Sequence, residues 1–163
     1  MSNITLIHET DIDAPAAVAW SVVADYARDV EWRAGVMQMV PTPMGPVQVG
    51  TTTAEAMKVA GKTYRNDGEV VAVEPGARFE WRTTAGAVAH GARQVTQLGP
   101  ARCRVRLELH VTPTGLNRLF APMLTKVLDK GLSGDVERLR LLVEADADLE
   151  SVSSPDQKRS TID

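Results

Sequence analysis

The 163-residue chain is 44% hydrophobic and 24% charged, with a formal net charge of -3. That is the size and balance of one globular domain, far from the apolar-poor composition of disordered chains. Scattered Lys and Arg make no dense basic block, so nucleic acid is not an expected partner. No apolar run approaches about 18 residues, and Met1–Thr10 lacks a basic stretch followed by an apolar one. Neither a membrane span nor a signal peptide is expected, and the protein reads as cytoplasmic, a monomer or homodimer.

Thr5–Ile12 alternates imperfectly and reads as a first strand, with Asp13 placed to cap a helix beginning near Pro15. That helix runs to about Ala24. Its Val18, Trp20, Val22 and Val23 cover more than one side, which predicts packing on two faces. The mixed segment from Tyr26 reads as a second short helix ending near Gly35. From Val36 to Val111, turn residues near Pro43, Gly61, Pro75, Gly86 and Gly99 divide the chain into six strands of an antiparallel meander. In the clearest strand, Cys103, Val105, Leu107, Leu109 and Val111 share one face, and Arg104, Arg106, Glu108 and His110 the other. Such a split belongs to a sheet covered on one side. Cys103, the single cysteine, excludes an internal disulfide and reads as a buried, inert thiol.

Beyond Pro113 the apolar period changes from two to about three and a half, in a stripe running from Leu116 to Val143. The stripe predicts a helix over Pro122–Asp148, about 40 Å long at 1.5 Å per residue. Pro122, with no N–H to donate, is expected to kink the helix or begin it anew, with Leu116–Phe120 a short preceding turn. Gly131 and Gly134 interrupt the helix and read as points of close packing against the first helices, with room for a ligand as the alternative. Residues 1–148 are expected to form one domain and 149–163 a polar, disordered tail.

The segments IDAPAAVAW, with Asp25 and Trp32 after it, VVAVEPGARFEW, and DVERLRLLVE follow the order strand, two helices, six strands, long helix. In that order they resemble the helix-grip fold of the START and birch-pollen-allergen (SRPBCC) superfamily, particularly its bacterial polyketide cyclase/dehydrase and lipid-transport branch. The resemblance covers Ile4–Ala145. It implies an α+β architecture: a curved seven-stranded antiparallel sheet around a long C-terminal helix, with two short helices between strands 1 and 2. It also implies an apolar cavity, used in such proteins for sterols, lipids, polyketides or plant hormones. Aromatase/cyclase relatives are associated with an interior arginine and polar partners. Here the strand before EPGAR reads EVVAV, with no cation, which counts against cyclase chemistry.

Sequence motifs for a nucleophile elbow, a Walker loop, a dinucleotide fingerprint and a zinc protease are absent. His8, His90 and His110 lie far apart in sequence, so no metal site is expected, and no cofactor. Candidate proton-transfer or carbonyl-polarising groups are His90, whose strand parity is unclear, Tyr64 and Arg82. Arg82 and Arg93 qualify only if they point inward, where a guanidinium needs a carboxylate or a ligand as acceptor. Expected cavity-lining residues on the strands are Phe79, Trp81, Leu107 and Leu109, and on the helix Phe120, Met123, Leu124 and Val127. Met57 and Met39 are adaptable liners, while Trp32 and Tyr26 flank the short second helix, which the resemblance implies is part of the cavity mouth, as gate or packing residues. The expected function is binding or carriage of a hydrophobic small molecule: a lipid, a quinone or a polyketide-like compound. A cyclase/dehydratase and a protein-interaction module are the alternatives.

Overall fold

The structure, a computed structural model, describes residues 3–153. Strands β2 (Val36–Thr42), β3 (Thr52–Val59), β4 (Lys62–Glu74), β5 (Arg78–Ala85), β6 (Val88–Gly99) and β7 (Arg102–Thr112) pair antiparallel in chain order. Strand β1 (Ile4–Ile12) adds to β7, giving the order β1-β7-β6-β5-β4-β3-β2. Helices α1 (Ala16–Val23) and α2 (Asp29–Trp32), joined by a 3-10 turn at Tyr26–Arg28, carry the chain from one edge of the sheet to the other. Register shifts leave Thr84 of β5 unpaired opposite Asp67/Gly68 and Val71 of β4 unpaired between Val70 and Ala72, the device by which a strand bends. The curled sheet grips α3 (Ala121–Val152), and the architecture is the helix-grip fold that the order of elements predicts.

Local chemistry explains where the boundaries differ from expectation. Asp13 does not cap α1: the N-cap is Pro15, with no side-chain bond, and the exposed Asp13 instead donates its backbone N–H to Glu144 Oε1 at 3.2 Å. The cap occurs at Asp25, whose carboxylate accepts from Ala27 N at 3.0 Å and starts the 3-10 turn. Pro122 falls in the first turn of α3, where its missing N–H leaves no bond unmade. The helix continues through Val152, past the expected start of a polar tail at Leu149, because no helix breaker intervenes before Pro155. The rest of that expected tail lies outside the described residues.

The core has two parts. Ile12, Val22, Val95, Val105 and the α3 residues Val136, Leu139 and Val143 form one; Tyr26, Val36, Met39, Val70 and Phe79 form the other. Trp20 packs against both, so α1 is covered on two sides. Cys103 is fully buried, and burial pushes its thiol up. The stripe of α3 therefore divides: its C-terminal half is sealed, whereas Leu124, Val127, Leu128 and Leu132 are only half-buried.

On the outer face of the sheet, burial opposes ionisation of Glu108. Hydrogen bonds from Arg78 at 3.4 Å and Arg106 at 3.0 Å outweigh it and hold the carboxyl below the usual range. A depressed carboxylate contributes stability that is fully present above the ordinary value of 4.5 and is lost as pH falls through the lower folded value. Urea denaturation at a series of pH values should show wild type more stable than Glu108→Gln at neutral pH, with the gap closing on acidification.

Candidate functional site

Where the N-terminal half of α3 stands off the sheet, a cavity of about 540 Å³ remains, within the range of small-molecule pockets. Apolar side chains line most of its wall. Met57, Trp81, Leu107 and Leu109 come from the strands, and Leu124, Val127 and Leu128 from the helix. Trp81 is set by Gly91 on the neighbouring strand: a Cβ there would lie 2.7 Å from the indole and 2.1 Å from the Glu108 carbonyl oxygen, so only glycine lets the ring lie flat against β6.

One end of the cavity is polar. Arg93, on an inward position of β6, donates to both oxygens of Asp29 on α2, at 2.8 and 2.6 Å, and to the Val23 carbonyl at 3.0 Å. Its guanidinium lies 4.7 Å from the centroid of the Tyr26 ring and 5.0 Å from that of Trp32, a cation-π arrangement inside the protein. Arg33 bridges Asp29 and Glu55 through one nitrogen, at 3.0 and 2.8 Å, and Asn66 donates to Glu55 at 3.1 Å. Burial disfavours both guanidinium charges, but the carboxylates of Asp29 and Glu55 more than restore them, so both arginines stay protonated. The cluster therefore contains two cations and two anions and is neutral overall. Burial also raises the Tyr26 hydroxyl above its ordinary range against the opposing pull of Arg93, leaving it a neutral donor. That hydroxyl makes no hydrogen bond to a described residue.

The structure sorts the expected site residues by strand parity and helix face. Trp32, Met57, Trp81, Leu107 and Leu109 line the cavity, as do Leu124, Val127 and Tyr64. Three expected liners lie elsewhere. Phe79 points inward but is sealed edge-on between Trp20 and Tyr26, at 6.1 and 5.7 Å. Phe120 and Met123 project from the outer side of the helix start. His90 and Arg82 face outward too: His90 stacks on His110 at 4.7 Å, and Arg82 pairs with Glu69 on the sheet surface. His8 bonds Asp129 at 2.7 Å, so the three histidines do not converge, and no metal-holding cluster occurs among the described residues.

Close packing at Gly131 is also overturned. An added Cβ would meet no atom within 4 Å, and the residue lines the cavity. The sequence reading did not single out Asp29, Arg33, Glu55 or Asn66. Period-two parity could have found Glu55, which alternates with Thr53 and Met57 on the inward face of β3.

Known proteins show the same architecture. The aromatase/cyclase Zhui from Streptomyces sp. R1128 superposes with a TM-score of 0.75 at 16% identity, over 88% of this chain and 94% of that one. A protein of Thermus thermophilus gives 0.74 at 17% identity, over 88% of this chain and 99% of that one. A START superfamily protein from Mycobacterium smegmatis gives 0.60 at 16% identity, over 83% and 99%. At such identities the likeness is one of fold. No curated protein matches the sequence. The family model described as polyketide cyclase / dehydrase and lipid transport matches residues 4–144, most of the chain, and the protein belongs to that family.

Proposed function

We propose that the protein binds a hydrophobic small molecule carrying an uncharged polar end, such as a quinone, a lipid alcohol or a polyketide-like ketone. The observation that carries this reading is the cavity itself: carbon over most of its wall and a charge-balanced polar cluster at one end. Apolar burial at about 25 cal/mol per Å² supplies the affinity, and the polar groups fix orientation. Tyr26 and Arg33 retain donors for a carbonyl or hydroxyl oxygen, whereas a carboxylate would add an uncompensated negative charge to a neutral cluster.

Titration with the neutral fluorophore N-phenylnaphthylamine tests this. Fluorescence should rise on binding, and a naphthoquinone or long-chain alcohol should displace the probe at about tenfold lower concentration than the chain-matched fatty acid. Trp81→Ala should weaken probe binding about tenfold while the protein remains folded. Absence of any enhancement, together with no retained small molecule in native mass spectrometry, would exclude the carrier role.

The ionisable groups on the cavity wall support a second reading, a cyclase or dehydratase. Of the three groups first considered, only Tyr64 lines the cavity, so this chemistry would fall to Tyr64, Tyr26, Arg33 and Glu55. A model poly-β-ketone, incubated with wild type and Glu55→Gln, distinguishes turnover from binding.

A further inference from the structure

The cavity opens between two lips at one end of the sheet. One is the β3–β4 turn at Ala60–Gly61, and the other is the segment from Thr112 through the 3-10 turn Gly115–Arg118 to the start of α3. The second lip exposes a group of large apolar side chains: Leu116 at 76%, Leu119 at 75%, Phe120 at 55% and Met123 at 60% of full exposure. Four such side chains in eight residues form a patch, which isolated surface hydrophobics do not.

The charges single out the same end. Among the described residues, Lys58, Lys62, Arg65, Arg118, Lys126 and Lys130 are the lysines and arginines that make no ion pair. All are exposed, and they lie on β3 and β4 within four residues of the first lip, on the second lip, or within the first three turns of α3. Residues 57–66 and 111–128 contain no carboxylate, although the chain as a whole is net acidic; the acids bordering them are Asp67 and Asp129, and Asp129 is bonded to His8. Elsewhere each described arginine is held by an acid, as in the sheet-surface pairs Arg104–Asp11 and Arg82–Glu69.

We propose that this end docks on an anionic lipid surface, with Leu116, Leu119, Phe120 and Met123 inserted among the headgroups and the surrounding cations held at the phosphates. Exposed apolar side chains ringed by unpaired lysine and arginine are the pattern that binds such an interface. A second copy of the chain fits worse, since a two-fold contact through the patch would bring the same set of unpaired cations together from both copies. The charge and exposure argument needs no ligand. The added consequence, that an apolar guest passes directly between bilayer and cavity across this mouth, rests on the binding function proposed above.

Co-sedimentation of the full chain with vesicles tests the docking separately from ligand binding. Phosphatidylcholine vesicles containing phosphatidylserine should pellet the protein, pure phosphatidylcholine should do so far less, and added salt should release it. Each cation contributes about fivefold, so Arg118→Ala with Lys126→Ala should weaken binding by roughly 25-fold. Leu119→Asp with Phe120→Ser should abolish it, with an unchanged thermal melt and unchanged N-phenylnaphthylamine affinity. Three results would overturn the proposal: no pelleting with either vesicle, equal pelleting with both, or a dimer in solution that the Leu119 and Phe120 substitutions dissociate.

Discussion

Asp29→Ala is expected to destabilise the protein by about 3–5 kcal/mol, the usual consequence of removing one partner from a buried ion pair. Asp29 is fully buried and receives three charged hydrogen bonds, two from Arg93 and one from Arg33. Without it, Arg93 keeps only the Val23 carbonyl as acceptor, and a guanidinium cannot shed its charge to escape. The loss is also architectural, because the contact ties α2 to β6 across the concave side of the sheet. In a chain of 163 residues this corresponds to a fall in melting temperature on the order of 10 °C. Calorimetry and urea denaturation measure it. Replacing the pair together, as Asp29→Leu with Arg93→Met, should recover much of the loss, since no charge is then left unpaired. A single mutant that melts with wild type would show that water or rearrangement solvates Arg93, and the cluster would lose its structural role.

The outline of the fold was legible because periodicity reports which face of an element is covered. Cys103, Val105 and Leu107 alternate as a one-sided strand should, and the terminal stripe keeps helical spacing from Leu116 to Val143. Periodicity does not report what covers that face. The same spacing serves Leu139, sealed in the core, Leu128, on the cavity wall, and Leu116, exposed. Phe79 and Trp81 likewise share parity, yet one is enclosed by α1 and its neighbours and the other faces the cavity, a difference set by where Trp20 and Tyr26 pack. The polar cluster was harder to read, because it joins α2, β3, β4 and β6. Arg93 needed a carboxylate if it turned inward, but nothing local to GAVAHGARQV points to Asp29, 64 positions away.

Gly131→Leu should separate stability from function. A glycine inside a helix costs about 1 kcal/mol relative to alanine, and this one has open space where its side chain would project. The substitution should therefore leave folding unharmed or improve it, by up to about 1 kcal/mol in urea denaturation. Its four side-chain carbons would occupy cavity volume between Leu128 and Leu132, displacing a similar amount of guest. At about 0.8 kcal/mol for each buried methylene the loss is about 3 kcal/mol, or roughly 100-fold in affinity for N-phenylnaphthylamine. Gly134→Ala is the contrast: a Cβ there would come within 3.2 Å of the Arg138 guanidinium, which pairs with Asp135 and donates to the Trp32 carbonyl at 2.9 Å. That change adds helix propensity against a neighbour able to yield slightly, and it should alter ligand affinity far less. If Gly131→Leu binds the probe as tightly as wild type, the space beside residue 131 is not where the guest resides, and the ligand site must lie closer to Tyr26 and Arg33.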